Sequence, residues 1–170
     1  MPHTMKYKFL LFALVAVAFV ACETRSVVSP SVRVSSSLYR TYTVQDSLGQ
    51  DSLVRDTISL ADTLRLGDTV RMGLLCEGYY DYLRALTIVS DPSEVDVSLS
   101  WDEEAKHLLT SAADPEHGKL AFVADSVYAC YTTLTYVPVA TGTHRIGISL
   151  VSAAKDPYTE GAWHFNIAVK

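Results

Sequence analysis

From Leu38 to the C-terminus apolar residues recur at every second position, and that period limits what this chain can fold into more than any other feature. Val70, Met72, Leu74 and Cys76 alternate with Arg71, Gly73, Leu75 and Glu77. Val95, Val97, Leu99 and Trp101 alternate with Asp96, Ser98 and Ser100. Ile146, Ile148 and Leu150 do the same, as do Trp163, Phe165, Ile167 and Val169. Successive side chains of a strand point to opposite faces, so period 2 means one face buried and one wet. Antiparallel sheets carry that pattern, whereas parallel sheets are buried on both faces and read as continuous apolar runs. Further strands are expected at 38–45, 53–60, 82–90, 119–124 and 128–138. Gly67-Asp68, Ser90-Asp91-Pro92, Asp114-Pro115, Thr141-Gly142 and Asp156-Pro157 supply the turn chemistry between them. Short strands with regularly spaced turns predict an all-β fold, a two-sheet antiparallel β-sandwich forming a single domain over 38–170. One helical turn is expected at 104–109, because Ser100 and Glu103 have capping-box spacing.

The first 22 residues follow a different rule. Lys6 and Lys8 precede an unbroken apolar run of 13 residues, Phe9–Ala21, which ends at Cys22. A membrane-spanning helix needs about 20 residues, so residues 1–21 read as a cleaved signal peptide. Charged n-region, short apolar run, small residue and cysteine together resemble the signal of bacterial lipoproteins. The resemblance implies cleavage before Cys22, a diacylglycerol on its sulfur and an acyl chain on its new amino group. Each buried methylene adds about 0.8 kcal/mol of membrane affinity, and two chains give stable anchoring. An ordinary signal peptide with a chance cysteine is the other reading. Residues 22–37, rich in Ser and carrying Pro30, read as the lipidated N-terminus and a flexible tether. The expected address is the cell envelope, at the outer membrane. Which face the body presents stays open, because no acidic cluster follows Cys22.

Loss of the leader removes two lysines and leaves 149 residues, moving the net charge from −5 to −7. That size suits one domain with its own core. An acidic body argues against nucleic acid or anionic lipid as the main partner. With Cys22 assigned to the lipid, Cys76 and Cys130 remain. In an exported protein they form either one disulfide or two buried reduced thiols, and the sequence does not choose between these. An Asp-hydroxyl-aliphatic triplet recurs at Asp46, Asp51, Asp56, Asp62 and Asp68. It reads as turn caps and strand edges. A calcium loop would need carboxylates at ligand spacing in a Gly-rich segment.

The segment Thr63-Leu64-Arg65-Leu66-Gly67-Asp68-Thr69-Val70-Arg71-Met72 resembles the opening hairpin of many immunoglobulin-like bacterial domains. Tyr136-Val137-Pro138-Val139-Ala140-Thr141-Gly142-Thr143-His144-Arg145-Ile146 resembles their last strands around a glycine turn. With the lipoprotein signal, the chain is similar to the uncharacterised immunoglobulin-like lipoproteins of Bacteroides-type bacteria, over residues 56–170. Tyr128-Ala129-Cys130 also resembles the Tyr-x-Cys of immunoglobulin strand F. That likeness implies a bridge from Cys130 to Cys76 at the end of strand B. Trp101, however, lies too far past Cys76 to be the strand-C tryptophan, and three strand-like segments remain from Cys130 onward. The expectation is therefore an immunoglobulin-like sandwich without the strict immunoglobulin strand order.

Residues with chemistry are scattered. His107, His117, His144 and His164 show no i, i+4 pair and read as surface histidines. No nucleophile elbow or phosphate loop occurs, and no catalytic residue, metal site or cofactor is expected. Glu94 and Asp96 read as a solvated strand edge rather than one wall of a cleft. The candidate ligand site is aromatic: Tyr79, Tyr80 and Tyr82, beside Asp81 and Arg84, offer stacking and hydrogen bonding to a sugar. The other reading has Tyr80 and Tyr82 covering the open end of the sandwich. Trp101 and Trp163 fall on apolar faces and read as core. The sequence thus predicts a lipid-anchored, non-enzymatic envelope protein, a binding or accessory module with a glycan among its possible ligands. The alternative is a structural or adhesive protein that assembles with protein partners through an exposed strand edge.

Overall fold

The computed structural model describes residues 28–34 and 37–170. The leader, Cys22 and most of the expected tether lie outside the described residues. In chain order the strands are β1 Ser31–Val34, β2 Leu38–Gln45, β3 Asp51–Ile58, β4 Thr63–Leu64, β5 Thr69–Glu77 and β6 Leu83–Val89. There follow β7 Val95–Ser100, β8 Lys119–Ala121, β9 Ala129–Pro138, β10 Gly142–Ser152 and β11 Glu160–Val169. One sheet runs β3-β2-β5-β9-β7, with β1 paired to β5 beyond the stretch that β2 occupies. The other runs β4-β11-β10-β6-β8. Among the described residues the pairing is antiparallel except for the short parallel contact of β4 with β11.

The expected all-β two-sheet sandwich is present, and its strand order is closer to an immunoglobulin domain than the sequence suggested. β2-β5-β9-β7 follows the order A-B-E-D, and β6-β10-β11 follows C-F-G. The three strands from Cys130 onward are therefore E, F and G. Cys130 stands on E rather than F, and Trp101 follows D. The segment likened to an opening hairpin and the one likened to the last strands around a glycine turn are both crossings between sheets: β4 and β5 lie in different sheets, and so do β9 and β10. A local motif identifies a turn, but which sheet the next strand joins depends on pairing partners far along the chain.

The core lies between the sheets and follows the period-2 pattern. Val70, Met72 and Leu74 from β5 meet Leu134 and Tyr136 from β9, and across the gap Leu86 from β6 and Ile146, Ile148 and Leu150 from β10. Each such side chain contributes about 1.5–3 kcal/mol relative to exposure. The Tyr136 ring packs on Phe165 of the opposite sheet, centroids 5.8 Å apart. Burial pushes the Tyr136 phenol pKa up. Trp101 and Trp163 are half-buried against this core, Trp101 on Phe122 and Trp163 on Phe165.

Several local expectations are corrected. Ser31–Val34, placed in the tether, is strand β1, paired to β5 from Ser31↔Glu77 to Val34↔Leu74. Its approach is set by Pro30, whose carbonyl oxygen would lie 1.8 Å from a Cβ at Gly161. Only glycine lets β11 come that close. The expected helical turn is a short 3-10 turn, Lys106–Leu108. Ser100 belongs to β7, and it is Asp102 that accepts the Glu104 N–H, at 2.9 Å. His144 is not on a wet face: it is 4 % exposed and continues the inward positions of Ile146 and Ile148. Its Nε2 lies 2.9 Å from the Ala140 carbonyl, and its Nδ1 lies 3.1 Å from Glu94 Oε2 without hydrogen-bond geometry.

Candidate functional site

The tyrosine cluster sits at the end of the sandwich where β5 turns into β6, and its three members are in different situations. Tyr79 adopts φ +58°, and its hydroxyl lies 2.9 Å from Ser31 Oγ. Hydrogen bonds from Ser31 and from the Arg33 guanidinium lower the Tyr79 pKa. Tyr79 therefore ties β1 to the β5–β6 turn. Tyr82 is half-buried and stacks on Tyr128, centroids 3.8 Å apart. Tyr80 is 78 % exposed, so of the two tyrosines expected to cover the sandwich end, only Tyr82 does so. Asp81 beneath them is buried, and its Oδ2 has no hydrogen-bond partner among the described residues. Arg84 pairs with Asp125 at 3.3 Å. Tyr128, read from the sequence only as part of the Tyr-x-Cys likeness, and Tyr131 are also exposed.

Cys76 and Cys130 are directly opposed partners on β5 and β9. Both follow the inward parity of their strands, and they are unbonded thiols in this structure. The Gly78 N–H donates to the Tyr128 carbonyl at 2.8 Å. Hydrogen-bonded pairs alternate along a ladder, so Cys76↔Cys130 is also such a pair, with Cα atoms about 5.5 Å apart. The neighbouring Cys130 sulfur, followed by burial, pushes the Cys76 pKa up and keeps it a thiol. The two cysteines thus lie within one sheet, whereas the resemblance implied a bridge between sheets.

A groove follows the outer edge of β7. Next to Val95–Ser98 it opens into a cleft of about 550 Å³, which wraps the strand edge and is lined by Ile88, Val97, Glu116 and His117 on the inner side and by Asp96, Ser98, Thr135 and Val137 on the outer face of the sheet. Asp96 therefore borders a cleft, contrary to the expectation of a plain solvated edge. Past Glu116 a second cleft of about 350 Å³ continues along Leu99 and Trp101, with Leu109 on its wall and Glu103, Lys106 and Asp114 around it. The far wall is the 3-10 turn Pro115–His117, held against β7 by Gly118. Gly118 has φ +72°, and a Cβ there would lie 3.0 Å from Ile88 Cβ and 3.1 Å from Val97 Cγ2. His117 Nδ1 lies 2.9 Å from Asp114 Oδ2, and this contact raises the His117 pKa. Sequence patterning could not reveal the groove, because its two walls are about 20 residues apart along the chain.

The hairpin β2–β3 projects beyond its sheet. Its strands pair from Leu38↔Ile58 to Gln45↔Asp51, but β2 meets β5 only at Tyr39, Arg40 and Thr41. The outer half carries Leu48 and Leu53, 82 % and 76 % exposed. Asp46 Oδ1 accepts the Leu48 and Gln50 N–H groups at 2.8 and 2.9 Å and closes the tip. Asp62 and Asp68 accept backbone N–H groups in later turns, so three of the five triplet aspartates act as turn caps. Asp56 instead takes a two-point hydrogen bond from Arg40.

Among the described residues no group of three or more His, Cys, Asp or Glu is placed to hold a metal ion. No helix among them is long and apolar enough to cross a membrane. No family model matches the chain, and no curated protein matches its sequence. Among solved structures it is similar to the Salmonella SafD adhesin, at 11 % identity and a TM-score of 0.40, covering 84 % of this chain and 97 % of that one.

Proposed function

We propose that this is a lipid-anchored, non-enzymatic protein of the cell envelope that assembles with protein partners. The observation that carries the reading is the β2–β3 hairpin, which extends past its sheet and holds Leu48 and Leu53 in solvent. A scattered exposed leucine needs no explanation, but a pair on a projecting, turn-capped hairpin forms an apolar contact surface. The anchor is Cys22, and the strand edges supply the remaining docking geometry. Photo-crosslinking from position 48 in intact cells is expected to give a discrete protein adduct. The double variant Leu48→Asp, Leu53→Asp should lose the adducts that a general crosslinker forms with wild type, with its circular dichroism and melting unchanged. Absence of protein adducts from the wild-type protein would reject the reading.

Glycan capture is the second reading, and the exposed ring of Tyr80 at the end of the sandwich favours it. Tyr79 and Tyr82 have their hydroxyl or ring engaged within the fold. A glycan-array signal lost in a Tyr79, Tyr80, Tyr82→Ala variant would support capture at this end. A signal that survives the triple substitution would clear these residues of the role.

A further inference from the structure

We propose that the groove along β7 is a strand-addition site for an extended, basic peptide segment. The proposal rests on the reading of the protein as an assembling one but uses a surface separate from the hairpin. β7 is an edge strand: it pairs with β9, and among the described residues no strand lies on its other side. The Val139 N–H donates to the Glu94 carbonyl at 2.9 Å. By the alternation of an antiparallel ladder, Asp96, Ser98 and Ser100 direct their backbone groups to Val137, Thr135 and Thr133. The N–H and C=O groups of Val95, Val97 and Leu99 then point to the open side. Val95 is served locally, its N–H by the Asp91 carbonyl at 2.9 Å and its carbonyl by the Ser90 hydroxyl at 3.4 Å. No hydrogen bond among the described residues reaches Val97 or Leu99 from that side. Two donors and two acceptors therefore stand ready at strand spacing, the array that an added strand uses.

The space beside them fits a strand. The two clefts, about 550 and 350 Å³, follow one another along β7 with Glu116 between them. Gly118, wedged on Ile88 and Val97, fixes the far wall, so the groove is formed before any occupant arrives. An added strand sends alternate side chains to opposite faces. One set would lie on the outer face beside Asp96, Ser98 and Val137, and the other on the side of Val97, Leu99 and Trp101, where Glu103, Asp114 and Glu116 line the clefts. The facing cations are Lys106, which already pairs with Glu103, and His117, which pairs with Asp114. Asp96 and Glu116 have no ion pair among the described residues, so the rim is set for lysine or arginine. Exposed charges of this kind select the partner by sign more than they add affinity.

The test uses the folded protein with synthetic heptapeptides. One alternates lysine with valine, one replaces lysine by glutamate, and one is the lysine peptide with alternate backbone nitrogens methylated on the pairing side. The lysine peptide is expected to bind roughly tenfold or more tightly than the glutamate peptide, and methylation should abolish binding. Binding should slow hydrogen exchange at the Val97 and Leu99 amides. The exposed-site variant Asp96→Lys, Glu116→Lys should lose the preference for lysine without a change in melting temperature. Equal binding of the glutamate peptide, survival of binding after methylation, or unchanged exchange at Val97 and Leu99 would each overturn the proposal. Concentration-dependent dimerisation of the protein alone, abolished by the same double variant, would also overturn it, by assigning the edge to a second copy. Hairpin crosslinks that persist while these peptide results fail leave the assembling function standing and remove only the β7 site.

Discussion

Arg40 shows how much a single inward-pointing charge can organise. It projects from β2 toward the sandwich interior, where its Nε donates to Asp56 Oδ1 at 3.1 Å and its Nη1 lies 3.6 Å from Asp68 Oδ2. Asp68 is 4 % exposed and accepts the Arg65 N–H at 2.8 Å. Replacing Arg40 by Met leaves a buried carboxylate without its cation, and the expected loss is about 2 kcal/mol at neutral pH by urea denaturation. The guanidinium hydrogen bond holds the Asp56 pKa below the usual 3.8. A lowered carboxylate pKa stabilises the folded state above the unfolded value, and that stability is lost as pH falls through the folded value. The gap in urea midpoint between wild type and Arg40→Met should therefore narrow as pH drops below about 4. A gap that stays constant down to pH 2.5 would show that the Arg40–Asp56 pair adds nothing. At this scale the sequence was partly legible. The turn-capping aspartates follow from Asx chemistry, whereas His144, expected at the surface, is buried, as counting back from Ile146 and Ile148 by twos would have placed it. The Arg40–Asp68 contact was not legible, because those residues meet only when β2 lies beside β5.

At the scale of elements, paired strands and the turns pinned to them decide what each residue can do. β5 and β9 bring Cys76 and Cys130 into direct opposition, a Cα separation within the range that disulfides span. We expect a small disulfide reagent to link them: the two thiols give up two hydrogens, one S–S bond forms, and the reagent leaves as two thiols. The link would close a loop of about 54 residues and raise stability by up to about 4 kcal/mol. Mass spectrometry with alkylation decides the matter, and two alkylated cysteines after oxidation would reject the bridge. The turn at Pro115–His117 depends in the same way on Gly118. An alanine there must hold a left-handed backbone and press on Ile88 Cβ at 3.0 Å, so Gly118→Ala should cost about 1–3 kcal/mol in urea denaturation. A variant with wild-type stability would show that the turn can move off β7. Strand existence was legible from period 2, and β2 occupies the expected 38–45. The start of β1 was not, since Ser-rich composition marks solubility and Pro30 marks an edge, and neither reports the pairing that β5 offers.

For the whole molecule, the lipid on Cys22 is the proposed membrane contact and the sandwich is the part that meets partners. Cys22→Ser should release the protein into the soluble envelope fraction, with the melting temperature of the sandwich unchanged. Tight membrane association of that variant would reject the anchor. The acidic body and the two surfaces, hairpin and β7 groove, face different directions of assembly: one offers apolar side chains, the other backbone groups framed by carboxylates.

The sequence by itself determined the class of fold, because side-chain alternation is local chemistry: a strand with Val, Leu or Ile at every second position must bury one face, and antiparallel pairing satisfies it. It also determined the turns, since Asp, Gly and Pro act on backbone within a few residues of themselves. Only the tertiary structure decided the immunoglobulin order of the strands, the meeting of Cys76 and Cys130 within one sheet, and the groove between β7 and the turn at Gly118. Each of these joins residues distant in the chain. Such contacts form when the sum of buried area and ladder hydrogen bonds outweighs the entropy of closing long loops, a balance that no single segment contains.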